Sequence, residues 1–234
     1  MRNYLQSAPS DTPGGPTSRR GFLGRTAAAS AAVTGAMVAG AGRAFGAGPT
    51  ALATSSNGLP ETTPGANRVY FNEIRNDENS HVSYIASTLG SAARPKPTFQ
   101  NLTAPNLKTF VSMSAAFENT GAGAYVGAAP SINGVVYLSA ATRIALIEGR
   151  HASWLQTLVF QTLAPGPVAF ETPLTQQEVV SRILPYIASL NGGPPAGFDL
   201  ARSDANDVNI FNFALILEYL EAEFYNINVP RFFP

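Results

Sequence analysis

The chain has 234 residues, of which 45% are hydrophobic and 13% are charged, enough for one sizeable core but not for two comfortable domains. The formal net charge is zero and cysteine is absent, which excludes disulfides, thiolate metal ligands and a cysteine nucleophile. Five arginines in the first 53 residues face only Asp11, so the remainder is mildly acidic and carries no basic stripe for nucleic acid.

Residues 1–53 predict an export signal. Arg19 and Arg20 precede a glycine, a phenylalanine and a leucine, and a weakly hydrophobic run of mainly alanine, glycine and valine follows over 26–41. This is the layout of a bacterial twin-arginine signal peptide. The run is shorter than the roughly 20 strongly apolar residues of a spanning helix, which disfavours the alternatives of an anchor or a basic tail.

Two small-x-small sequences are candidate cleavage sites for this signal. Ala51-Leu52-Ala53 is the preferred site and Ala44-Phe45-Gly46 is the second candidate. We therefore expect the twin-arginine export machinery to be a partner, the exported chain to begin near Thr54, and its location to be periplasmic or extracellular.

The exported part is expected to be a linker, 54–66, followed by one helical domain, 67–234. The linker is rich in serine, threonine, proline and glycine. Within the domain, apolar spacing predicts helices over 68–89, 106–129, 132–163, 175–190 and 204–226. Pro185 should kink the fourth helix, and Asp204 or Asp207 should cap the fifth.

Glycines interrupt the second predicted helix. Gly121 and Gly123 each cost about 1 kcal/mol of helix propensity relative to alanine. Such a cost indicates that another helix approaches closely at these positions.

Each of the two histidines follows a glutamate by three residues, in Glu78-x-x-His81 and Glu148-x-x-His151. Residues three apart share a helix face, so each pair directs a carboxylate and an imidazole into the same space. A single pair of this kind would be interpreted as a surface glutamate beside a core histidine. Two pairs on two helices, with no other histidine in the chain, indicate a metal site.

A two-metal site of this kind needs one further carboxylate from each of two other helices. Glu118 is the only acidic residue between Glu78 and Glu148, and it interrupts an otherwise apolar helix. An unpaired carboxylate would be costly to bury there, which favours a role as ligand.

The fourth carboxylate is expected from the last helix, with Glu218 preferred and Glu221 as the alternate. Glu118 and Glu218 are each followed seven residues later by a tyrosine, Tyr125 and Tyr225. Seven residues are two helical turns, so each tyrosine can lie below the glutamate of its own helix and donate a hydrogen bond to it. This shared offset is the reason for preferring Glu218.

These motifs resemble the ferritin-like family that includes desiccation-related proteins. The resemblance covers about 67–225 and is carried by Glu78-x-x-His81, Ala116–Gly121, Ile147–Ala152, Phe170–Thr175 and Asn212–Tyr225. It implies an all-α, ferritin-like four-helix bundle with a short extra helix before the last one. In that family the helix found here at the end comes first, so the helix order is permuted.

The permuted order is physically allowed. About 40 residues, 164–203, separate the third and last long helices, which is enough to return along a bundle roughly 30 Å long. A helix exchanged between two subunits and a truncated reading frame remain alternatives.

The resemblance also implies a ligand arrangement. Glu78 and Glu148 would bridge two metal ions, Glu118 and Glu218 would each bind one, and the two histidines would complete the two positions. Two divalent cations would neutralise four carboxylates, and oxygen-rich ligation suits iron or manganese.

The expected function is that of an exported dinuclear metal protein that reacts with peroxide or dioxygen in stress protection. An enzyme of this kind would be a peroxidase-like, catalase-like or ferroxidase-like oxidoreductase. One alternative is a non-enzymatic desiccation or stress protein in which the metal is structural or absent. An iron-storage cage is a third hypothesis, which the lack of an acidic surface run disfavours, and a homo-oligomer remains open.

Overall fold

The computed structural model describes residues 53–54, 57–159, 162–166 and 169–234, which belong to one compact unit, Leu52–Pro234. The predicted signal peptide, with Arg19 and Arg20, lies outside the described residues apart from Ala53. Within the described ranges, no helix combines the length and the apolar character needed to cross a membrane.

Five α-helices account for most of the described residues, and the predicted all-α class is confirmed. They are α1 (Ala66–Leu89), α2 (Leu107–Ala128), α3 (Val135–Leu158), α4 (Gln176–Ile183) and α5 (Asp204–Phe232). The four long helices form a bundle in which α1 packs on α5 and α2 packs on α3.

The first two long helices, α1 and α2, run in one direction and α3 and α5 run in the other, an order that requires two crossovers. The rings of Phe71 on α1 and Phe233 after α5 stack, and Asn79 hydrogen-bonds to Asn226, so α1 and α5 are antiparallel. A short link makes α2 and α3 antiparallel. The chain therefore crosses the length of the bundle between α1 and α2 and again between α3 and α5. The last helix completes the bundle of its own chain.

Buried asparagines on α5 hold the first crossover, 90–106. The Asn212 side chain accepts a hydrogen bond from the backbone N–H of Arg94 at 2.7 Å. Further along α5, Asn228 accepts one from the backbone N–H of Ala104 at 2.9 Å. Because backbone polar groups must be satisfied when buried, these side chains fix the path that carries the chain from α1 to α2.

The second crossover contains α4, which is shorter than predicted. Thr175 and Glu178 form a reciprocal capping box at its start. The helix ends at Ile183, and Pro185 lies in a 3₁₀ turn instead of kinking a continuous helix to residue 190. Proline cannot supply the N–H that α-helical continuation would use, which explains the early end.

In the described part of the chain, four short strands form two antiparallel ribbons. In the second crossover β4 (Ile187–Ser189) pairs with β3 (Thr98–Phe99) of the first, so the two crossovers are joined. The segment predicted as a linker contains the other ribbon, β1 (Ala53–Thr54) with β2 (Pro60–Glu61). The segment predicted as a linker, 54–66, thus contributes to this short ribbon and to the start of α1.

The ends of α3 and α5 also differ from the prediction. α3 begins at Val135 and ends at Leu158, inside the predicted 132–163, while α5 continues six residues past 226 to Phe232. Aromatic side chains at the end of α5 remain in the apolar core, which favours continuation of the helix.

Neither predicted aspartate caps α5. Ser203 is the N-cap and accepts from the backbone N–H of Asn206 at 3.1 Å. Asp207 instead accepts hydrogen bonds from the backbone N–H groups of Asn133 and Gly134, both at 2.7 Å. This carboxylate ties the start of α5 to the start of α3.

The glycines of α2 make room for the second crossover as well as for side chains. The backbone N–H of Leu174 donates to the carbonyl of Gly123 at 2.9 Å. A Cβ on Gly127 would lie 1.9 Å from the Leu174 carbonyl oxygen. The sequence predicted close approach by a helix at Gly121 and Gly123; at Gly123, and also at Gly127, the close neighbour is instead the non-helical segment around Leu174.

Two apolar clusters occupy the two ends of the bundle. One lies at the start of α1 and α2 and the end of α3 and α5, and includes Phe71, Phe110, Leu155, Phe224 and Phe233. The other lies at the opposite end and includes Ile85, Ile144, Ile210, Phe211 and Leu215. The middle of the bundle lies between them and is polar.

Candidate metal centre

The middle of the bundle holds acidic and imidazole side chains from all four long helices. The structure brings together all six predicted ligands, namely Glu78 and His81 of α1, Glu118 of α2, Glu148 and His151 of α3, and Glu218 of α5. All four glutamates have an exposed fraction of 0%. Burial of four carboxylates is costly without compensating cations or protons.

One grouping surrounds His81. Its Nδ1 atom lies 3.2 Å from Glu78 Oε2, 3.3 Å from Glu148 Oε1 and 3.2 Å from Glu218 Oε2. The ligand-type atoms of these four residues all lie within 4.8 Å of one another, close enough to hold one ion.

The second grouping surrounds His151. Its Nδ1 atom lies 3.0 Å from Glu118 Oε2 and 3.2 Å from Glu78 Oε1. Glu78 therefore offers one oxygen to each grouping, which is the placement that a bridging carboxylate needs. Glu148, the other bridge implied by the resemblance, falls in the first grouping only.

Both predicted tyrosines contact ligand glutamates, but on the opposite helix. Tyr125 donates to Glu218, and Tyr225 donates to Glu118 Oε1 at 2.6 Å. The prediction that each tyrosine serves the glutamate of its own helix was wrong. Seven residues span about 10 Å along a helix axis, too far for that contact, whereas antiparallel packing puts each tyrosine opposite the other glutamate.

A fifth glutamate, Glu221, is buried near the cluster with an exposed fraction of 2% and belongs to neither grouping. A Cβ on Gly121 would lie 2.6 Å from Glu148 Oε2 and 3.4 Å from Glu221 Oε1. The absent side chain at Gly121 leaves space for both carboxylates. Glu223, by contrast, forms an ion pair with Lys96 at the surface.

Burial, the two imidazoles and the neighbouring carboxylates shift the pKa values of the cluster. Burial raises the pKa of Glu78, but hydrogen bonds from His151 and His81 outweigh it and lower this pKa to about 2. Burial lowers the pKa of His151, yet Glu118 and Glu78 raise it to about 12.

The remaining carboxylates shift the other way. Burial raises the pKa of Glu218 to about 7 against the opposing hydrogen bond from His81. Burial and repulsion from Glu78 raise the pKa values of Glu148 and Glu221 well above the usual range. The cluster therefore holds protons that a divalent cation could replace.

Several oxygens of the cluster lack a hydrogen bond of good geometry. These buried atoms are Glu78 Oε1, Glu148 Oε1 and Oε2, Glu218 Oε2 and Glu221 Oε2. Glu78 Oε1, Glu148 Oε1 and Glu218 Oε2 have only a histidine Nδ1 at 3.2–3.3 Å, and Glu148 Oε2 and Glu221 Oε2 have no hydrogen bond to a described residue. A coordinated cation would satisfy these buried acceptors, which otherwise cost free energy. The residues present thus fit metal ions that prefer oxygen and imidazole ligands.

Each histidine reaches the surface at its outer edge, between α1 and α3. His81 lines a cavity of about 420 Å³ together with Arg143 and Ile147. His151 lines one of about 240 Å³ beside Trp154. The exposed fractions of the two side chains are 12% and 9%, so the cluster is close to solvent at two points.

One contact of the centre was missed by the sequence analysis. Asp77 Oδ2 lies 3.2 Å from Nε2 of His151. Since 74 residues separate the two, no local spacing could have indicated the contact.

Comparison with known families and proteins adds one result. A family model described as a ferritin-like domain matches residues 26–161, more than half of the chain. The match includes α1, α2 and α3 with both Glu-x-x-His pairs, begins within the predicted signal peptide, and ends before α5. No curated protein and no solved structure gives a significant match. On the family match and this bundle, the chain belongs to the ferritin-like domain family.

Proposed function

We propose that this is an exported dinuclear iron or manganese protein that reacts with peroxide or dioxygen in stress protection. The observation that carries the proposal is the meeting of six ligand-type side chains from four helices in two adjacent groupings that share Glu78. Export is included because of Arg19 and Arg20, and rests on the sequence.

The residues divide between two positions. His81, Glu148 and Glu218 would hold one ion, Glu118 and His151 would hold the other, and Glu78 would contact both. Two adjacent redox-active ions, when bound, would each give one electron to a peroxide or dioxygen and would regain it from a second peroxide or from an external reductant. The chain itself supplies buried carboxylates of fixed position and excludes bulk water through the apolar clusters at both ends.

Access in this proposal is through the surface cavities beside the histidines. The cavity at His81, of about 420 Å³, has room for peroxide or dioxygen and is bordered by Arg143 and Arg150. The arrangement supports a small oxidant as substrate in preference to a large organic one, since the linings of these two cavities reach the cluster at a histidine and include none of its glutamates.

Activity of metal-loaded protein tests the catalytic proposal. Wild type should consume peroxide or dioxygen, and Glu118→Ala should abolish the activity because one position loses a ligand. Glu223→Ala is the matched control, since it removes a glutamate that pairs with Lys96 at the surface. A fully loaded wild type that consumes neither oxidant would contradict the catalytic proposal.

The second candidate function is a stress or desiccation protein in which metal only stabilises the fold. One observation favours it, namely that the cluster joins all four long helices between the two apolar clusters. Metal that binds only the native state would then raise the melting temperature by mass action. Loaded protein without turnover that nevertheless protects other proteins during drying would favour this candidate.

A further inference from the structure

The two histidines differ in what touches the nitrogen that faces away from the glutamates. His151 presents Nδ1 to Glu118 and Glu78, and its Nε2 lies 3.2 Å from Asp77 Oδ2. The ion-pair contacts of His81 with described residues are all made through Nδ1. Its ring edge faces the surface cavity instead.

The difference follows from a single position in a repeated motif. Asp77 directly precedes Glu78, and Ile147 directly precedes Glu148. Because α1 and α3 run antiparallel past each other, the residue before each glutamate lies beside the histidine of the other helix. Ile147 accordingly lines the same cavity as His81, where it offers no hydrogen-bond acceptor.

We infer that Asp77 is a positioning residue for His151 and makes the two metal positions unequal, an inference that rests on the proposed metal site. An N–H at Nε2 donated to a carboxylate fixes the ring orientation and leaves the Nδ1 lone pair directed at the cluster. This hydrogen bond also raises the basicity of Nδ1, so that it donates its electron pair more strongly to a metal ion. His81 has no corresponding carboxylate on α3, since the Ile147 side chain in the equivalent position cannot accept a hydrogen bond.

The competing explanation is that Asp77 and His151 form an ordinary, partly exposed ion pair. The Asp77 side chain is 38% exposed, and exposed pairs contribute little to stability. Such a pair would leave metal affinity unchanged when broken. A positioning carboxylate of this kind is worth about 10-fold to 100-fold in metal affinity.

The test is a stepwise titration of metal-free, full-length exported protein with Mn²⁺ and with Co²⁺, followed by calorimetry and by the Co²⁺ absorption spectrum. Wild type should bind two ions. Asp77→Ala should weaken one binding step by about 10-fold to 100-fold and leave the other unchanged, with a spectral change in one of the two Co²⁺ sites. Asp77→Asn, which keeps an acceptor oxygen, should restore part of the loss.

Two further variants complete the design. Glu73→Ala removes a neighbouring carboxylate that lines the cavity at His151, so it controls for charge and should bind metal as wild type does. Ile147→Asp should tighten the other binding step by giving His81 the acceptor that it lacks. A cooperative unfolding transition, measured for each variant without metal, shows that the variant is folded.

The outcomes separate the two proposals. If wild type binds two ions and Asp77→Ala binds both with wild-type affinity, or weakens both steps equally, the inference about Asp77 is overturned and the metal site stands. If folded wild type binds no transition metal, the metal site itself is overturned and this inference with it.

Discussion

The hydroxyl of Tyr225 on α5 lies 2.6 Å from Oε1 of Glu118 on α2 and donates a hydrogen bond to it. The reverse contact joins Tyr125 on α2 to Glu218 on α5. The two crossed contacts fix the register of α2 against α5 at the level of the cluster. Each of them also holds one carboxylate oxygen and leaves the other directed at a histidine.

Removal of either hydroxyl should therefore lower the stability of the protein and disturb the position of a ligand glutamate. Tyr125→Phe or Tyr225→Phe leaves a buried carboxylate oxygen without its donor, which should cost about 1–3 kcal/mol of unfolding free energy. Denaturant unfolding measures this loss. Tyr84→Phe is the control, because Tyr84 is 40% exposed and should change stability little. Equal, negligible effects for all three variants would contradict the role of the crossed contacts.

Gly121 offers a steric test of the same centre. In Gly121→Ala the new Cβ would lie 2.6 Å from Glu148 Oε2, so Glu148 must move and metal binding should weaken. Gly149→Ala is a matched control on α3, where a Cβ meets nothing within 4 Å. This control should gain up to about 1 kcal/mol from helix propensity and keep its metal. Calorimetric metal titration that finds both variants equal to wild type would contradict the packing at Gly121.

The metal-free protein should lose stability as the pH rises from about 4.5 to about 7. Burial raises the pKa of Glu218 from 4.5 to about 7, so the folded state binds more protons than the unfolded state in this window. The contribution of this group is complete below the unfolded pKa and is lost as pH rises through the folded pKa. The raised pKa values of Glu148 and Glu221 act in the same direction.

Denaturant unfolding across this pH window measures the effect, and Glu218→Gln should reduce the slope. Bound metal should reverse this pH dependence of stability. The metal binds more tightly as the pH rises, because a larger fraction of its ligands is then deprotonated. Metal binding should accordingly release protons, which calorimetry in buffers of different ionisation enthalpy detects. Metal-free stability that rises across the window, with no proton release on loading, would contradict the assigned charge state of the cluster.

The export proposal has its own test at the amino terminus. Replacement of both Arg19 and Arg20 by lysine should leave full-length precursor inside the cell, because the paired arginines are the recognition element of the twin-arginine route. Amino-terminal sequencing of exported wild type should begin at or near Thr54. Normal export of the double variant would remove this part of the proposal.

The sequence predicted the ligand-type residues better than it predicted their contacts. The two Glu-x-x-His pairs and the lone acidic position of Glu118 depend on local spacing and on the cost of a buried charge, which are readable from one chain. The partners of Tyr125 and Tyr225 depend on which helices lie opposite each other. That information is in the packing and not in either helix.

Other errors have the same origin. Asp207 was predicted to cap a helix because its type and position suit that role. Its carboxylate instead accepts a hydrogen bond from the backbone N–H of Gly134 at the start of α3, 73 residues earlier in the chain. Pro185 accounts for the end of α4 at Ile183, but the strand that replaces the rest of the predicted helix depends on the pairing of Ile187–Ser189 with Thr98–Phe99, a long-range contact that one segment cannot show. The four-helix architecture itself was predictable because apolar periodicity in long segments is a strong signal.

The central claim is that the six side chains hold two metal ions. Its most direct test is metal analysis of the protein purified from its own host after export, with melting measured before and after chelation. We expect two iron or manganese ions per chain, a fall in melting temperature on chelation, and well below one ion per chain in His81→Ala. Wild-type protein that carries no transition metal, and whose melting the chelator leaves unchanged, would contradict the account.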